Sequence, residues 1–213
     1  MRALLPLRPQ HGTLGSGVIL TFFGTVWWMV GALALGDGTA TRTAAVATGL
    51  AVAVALGVFA VRRLDNTGGR ESYERAASTF RWSNAAQAAG IAAVVAIGVG
   101  TGRQHWIPAL VTLVVGAHFY PLARPFGRPE YRWTATLLVG VGVIGCVAAL
   151  AGAQVSGVLA LCGLGCAAIL WSTTVWYIVC GTPDIAAAAG PRARRRARTV
   201  PDVPSADEGD RGP

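Results

Sequence analysis

Five stretches of the chain contain no Asp, Glu, Lys or Arg: 9–36, 43–61, 82–102, 104–123 and 133–183. All five are apolar. A helix needs roughly 20 apolar residues to cross the hydrocarbon core of a bilayer. The first four blocks hold one such span each, and the 51-residue fifth holds two. The predicted spans are 15–35, 44–61, 83–100, 107–122, 134–151 and 155 to about 179. Glycine-containing turns at 36–38 and 152–154 separate spans one from two and five from six. Pro108 falls in the first turn of span four, where a missing N–H costs nothing. Gly181-Thr182-Pro183 closes span six. The pattern predicts an all-α integral membrane bundle of six transmembrane helices in three hairpins, residues 1–182. A tail, 183–213, follows.

Charge then sets the orientation. The formal +8 comes from 18 arginines and no lysine. With abundant Ala, Gly and Val, this usage points to a high-GC bacterial genome. Sixteen arginines fall in the N-terminus, the 62–81 and 123–132 segments and the tail; only Arg42 and Arg103 fall on the other side. Loops rich in Arg stay cytoplasmic, so both termini are expected in the cytoplasm of a multi-pass plasma-membrane protein. The membrane accounts for the basic balance, and no nucleic-acid partner is expected. Hydrophobic residues at 53% and charged residues at 13% leave too little polar surface for a soluble domain.

Two local alternatives stand beside this layout. Ala32-Leu33-Ala34 resembles a signal-peptide cleavage site, although the preceding apolar stretch is longer than a typical leader core. In the long inner loop, Tyr73, Ala76, Ala77 and Phe80 fall at i, i+3, i+4 and i+7. Either a short interfacial helix or a plain extension of span three fits that spacing. The tail gathers Arg192, Arg194, Arg195, Arg196 and Arg198 before a Pro- and acid-rich end. It is expected to be disordered, with the arginines reinforcing topology or attracting anionic lipid.

Most familiar signatures fail on context. Gly140 to Gly145 reads GxGxxG, but it lies within an apolar span and serves close helix packing better than a phosphate. Cys162 and Cys166 share a helix face without His or carboxylate in spans five or six, so they are expected to pack rather than bind metal. About 20 Å of helix separates His105 from His118, too far for both to ligate one haem. No cofactor is expected. No span carries Asp or Glu, which disfavours an ion-coupled pump. The in-span polar residues Thr21, Thr25, Asn84, Gln87, Ser172, Thr173 and Thr174 are expected chiefly to bond between helices. Phe80-Arg81-Trp82-Ser83 and Tyr131-Arg132-Trp133-Thr134 echo each other where two spans begin, as Arg and Trp at a membrane interface would do.

The densest local signal runs from Gly116 to Tyr131. Pro121, Pro125 and Pro129 stiffen a cytoplasmic corner, and Pro121 takes the helical donor from the Ala117 carbonyl. His118 lies one turn from that corner. Arg124 and Arg128 are positioned to clamp an anion. His118, Tyr120, Arg124 and Arg128 are therefore the candidate ligand-binding residues, against the plainer expectation of a rigid elbow. The run Gly116 to Phe126, GxHFxPLAxxF, resembles a segment of an uncharacterised family of small polytopic bacterial membrane proteins. That resemblance implies the six-helix layout and maps the family's His, Phe, Pro and Leu onto His118, Phe119, Pro121 and Leu122. It implies no reaction. Two function classes follow: binding or permeation of a small solute or lipid near the elbow, or a non-catalytic component that associates with a partner or with itself as a homo-oligomer. An enzyme is not expected, because no carboxylate in its span orients His118.

Overall fold

The computed structural model describes residues 14–36, 38–64, 69–126 and 128–179, of which 90% are helical. The order is α1 (Leu14–Ala34), α2 (Thr39–Arg63), α3 (Gly69–Gly100), a 3₁₀ turn at Gln104–Trp106, α4 (Ile107–Ala123), α5 (Glu130–Leu150) and α6 (Val155–Val179). Six helices are long and apolar enough to cross a membrane, so this is a multi-pass membrane protein. The described residues lie in one unit of the chain, 1–181. The basic tail and Cys180 lie outside the described residues.

Helix α3 settles one alternative. It runs unbroken for 32 residues, so the segment around Tyr73 continues span three instead of forming a separate helix. No Gly or Pro interrupts residues 70–89, and nothing else in that stretch would stop helix propagation. Gly102 and Gly152 take positive φ, 69° and 82°. These are left-handed turns that residues with a Cβ avoid, and they return α3 to α4 and α5 to α6.

Three sequential hairpins form, but they are not the main packing units. The two most extensive interfaces are α1 with α6 and α4 with α5, while α3 packs chiefly on α4. The cause lies in the glycines. Gly17, Gly24 and Gly31 recur every seven residues along α1, and all are buried. A Cβ on Gly24 would lie 2.6 Å from the Trp171 ring, and one on Gly163 would lie 2.5 Å from the Gly31 nitrogen. Only bare backbones approach this closely. Polar groups then lock the same interface: Trp171 Nε1 donates to the Thr21 carbonyl at 3.4 Å, and Thr21 Oγ1 lies 3.5 Å from Thr174 Oγ1. Trp28 stacks on Trp171 with centroids 5.1 Å apart and donates to the Ala45 carbonyl of α2.

The α4–α5 interface follows the same rule. Gly116 meets the Val139 backbone, Gly142 meets the Leu113 backbone and Gly145 meets Ala109 and Cys162. Two of the three glycines in the 140–145 stretch therefore serve close helix approach, as expected; a Cβ on Gly140 would meet open space. Thr134 and Thr173 join α5 to α6 at 3.0 Å. Cys162 and Cys166 are fully buried, with Cys166 Sγ 3.8 Å from Thr112 Oγ1 of α4. Thr21, Thr173 and Thr174 thus join helices, as anticipated. Thr25 bonds back to its own turn, and Ser172 is exposed.

Candidate functional site

Helices α1 and α3 make no extensive contact with each other. Between them a cavity of about 470 Å³ opens, with α4 as its floor. That volume is in the range of small-molecule sites. Three helical stripes build it. Gly15, Ile19, Phe23 and Val26 come from α1; Tyr73, Phe80, Asn84, Gln87 and Ile91 from α3; Val111, Val115, His118 and Leu122 from α4. Each stripe repeats at three or four residues, or at seven, so each is one face of a helix. The α4 stripe covers twelve residues, about 16 Å of helix axis from first to last, or roughly half of a bilayer's ~30 Å core.

Polarity is concentrated toward the elbow end, where α1 begins and the 124–129 connection lies. There Ser16, Asn84, Gln87, His118, Arg128 and Tyr131 line a cavity that is otherwise apolar. Trp82 and Trp133, 76% and 73% exposed, project from the bundle at this level, where indoles favour the headgroup zone. Asn84 and Gln87 are then about 3 and 7 Å of helix axis deeper than Trp82. Among the described residues, no hydrogen bond engages either side-chain amide.

Local contacts fix His118. Its Nδ1 is 2.9 Å from Ser83 Oγ and 3.2 Å from the Ser83 carbonyl, while Ser83 Oγ donates to the His118 carbonyl at 3.2 Å. If the hydroxyl hydrogen goes to the carbonyl, the ring proton belongs on Nδ1, leaving Nε2 of the neutral ring as an acceptor. Arg128 is buried. Its guanidinium stands 4.9 Å above the centroid of Tyr177, and its Nη1 is 3.9 Å from Glu130 Oε1. The elbow is thereby tied to α6.

Of the four residues singled out from sequence, the cavity brings together two, His118 and Arg128. Tyr120 points elsewhere, with its hydroxyl 2.9 Å from Thr136 Oγ1 on an exposed face. Arg124 is exposed beyond the end of α4 and does not line the cavity. The cavity therefore takes only one of the two arginines. Consecutive elbow residues four apart diverge because the helix ends between them and the chain turns. Sequence reasoning placed Asn84 and Gln87 among the interhelical bonders; both face the cavity instead. Their signal was present in the spacing 73, 80, 84, 87, 91, a single face of α3 that is polar only at its middle.

A second depression of about 580 Å³ lies across the α3–α4 contact, between Trp82, Ala86 and Gly90 on one side and Val114, Ala117 and Pro121 on the other. His118 and Gln87 line both spaces. The α3–α4 wall is therefore polar at the level of the elbow. No protein-family model, curated protein or solved structure matches the chain.

Proposed function

We propose that this protein binds one membrane amphiphile in the groove between α1, α3 and α4. The observation that carries this is the pair of amides, Asn84 and Gln87, facing an apolar groove without a protein partner. In hydrocarbon, an unmet amide costs roughly 1–3 kcal/mol. A ligand with a polar linkage at that depth would meet it. The groove's half-bilayer length supports a ligand drawn from one leaflet. The sixteen-to-two arginine split supports placing both termini in the cytoplasm, which makes that leaflet the inner one of the plasma membrane. A binding role rather than a catalytic one accords with His118 being held by Ser83; among the described residues no acidic side chain contacts its ring.

The test replaces the amides by an apolar side chain of similar size. Wild type and an Asn84→Leu/Gln87→Leu variant are purified in mild detergent, and retained lipid is measured by native mass spectrometry. Retention should fall about tenfold in the variant, since two hydrogen bonds at roughly 0.6 kcal/mol each in a membrane protein amount to nearly that factor. Equal retention in a folded variant rejects the proposal.

A further inference from the structure

We infer that the headgroup taken at the elbow end is zwitterionic, a phosphate beside a quaternary ammonium; this rests on the groove holding an amphiphile. The first observation is a run of aromatic rings. Tyr73 to Phe80, Phe80 to Phe126, Phe126 to Tyr131 and Tyr131 to Phe119 are separated by 5.6, 6.2, 6.3 and 5.7 Å between centroids, crossed at 67–83°. The five rings come from α3, the elbow, α5 and α4, and all of them line the cavity. Aromatic rings offer π faces as well as edges, and these five line one cavity. Such faces attract a cation, and a quaternary ammonium most readily because it is weakly hydrated.

The second observation is the charge at the same end. Arg128 lines the cavity, and a guanidinium suits phosphate. Glu130 Oε1 lies 3.9 Å from its Nη1. A headgroup of one sign alone would leave water and find only part of these partners. An isolated ammonium would also lie beside Arg128, and an isolated phosphate would leave the rings unused. A phosphate and an ammonium in one headgroup satisfy both ends and carry no net charge.

The test fixes the tail and varies the head. The full chain in dodecyl maltoside is titrated with lysophosphatidylcholine, lysophosphatidylglycerol and a monoacylglycerol of one acyl length, and with tail-free phosphocholine, under native mass spectrometry. Half-saturation with lysophosphatidylcholine is expected at about tenfold lower concentration than with the other two chains, the factor that one desolvated cation–π contact supplies. Phe80→Leu should abolish that preference, weakening lysophosphatidylcholine binding about tenfold and monoacylglycerol binding distinctly less. Equal half-saturation for the three chains, a preference for lysophosphatidylglycerol, or a uniform loss in Phe80→Leu overturns the headgroup assignment but leaves the groove intact. Tight binding of tail-free phosphocholine, or saturable binding of no chain at all, overturns the amphiphile reading itself.

Discussion

Ser83 and His118 hold α3 to α4 through three reciprocal contacts of 2.9–3.2 Å at the mouth of the groove. Because α3 has no other large partner, this clasp sets the position of one groove wall. Ser83→Ala removes the hydroxyl from all its bonds and should cost about 1 kcal/mol. That is a fall of about 2–4 °C in the melting midpoint of the detergent-solubilised protein. Ser83→Thr, which keeps the hydroxyl, should recover most of the loss. An unchanged midpoint in Ser83→Ala would mean that the clasp contributes nothing to holding α3.

The α1–α6 interface makes an opposite forecast for two glycines of the same helix. At Gly163 a Cβ would strike the Gly31 backbone, which cannot yield like a flexible side chain; at Gly157 it would meet open space. Gly163→Ala should therefore destabilise by about 3 kcal/mol. Gly157→Ala should be neutral or gain up to about 1 kcal/mol from helix propensity. Denaturation of both variants in parallel checks this, and similar effects for the two would contradict the close α1–α6 approach.

Arg128 and Glu130 form the third test. Replacing Arg128 by Met strands the largely buried Glu130 carboxylate, at a cost of about 2–3 kcal/mol. Adding Glu130→Gln should restore part of that, because the stranded carboxylate is then removed. A double-mutant cycle measured by thermal unfolding gives the coupling. Strictly additive losses would show that the two side chains act independently despite their 3.9 Å separation.

The spans were legible because charge is the one thing a lipid-crossing helix excludes, and the charge-free blocks mark it sharply. Helix pairing was much less so. In lipid the outer face of a helix is as apolar as its packed face, as with Phe22 and Leu33 on α1, both more than half exposed. The usual division into buried apolar and exposed polar positions therefore vanishes. Small residues are the remaining guide, and the heptad Gly17, Gly24, Gly31 was available as such. The site was half legible. His118 and Arg128 stood out because they are polar near a proline corner. Asn84 and Gln87 were visible as polar, but whether an amide meets a helix or a cavity depends on the gap between α1 and α3. That gap exists only in three dimensions.

The glycine seam between α1 and α6 also orders events at the ribosome. The first helix enters the bilayer with its tightest-fitting face prepared for the last one, and residues 35–154 must be synthesised before the two can meet. The closest helix contact of the bundle therefore joins the helices most widely separated along the chain, and a chain that lost its sixth helix would leave the glycine face of α1 without that partner.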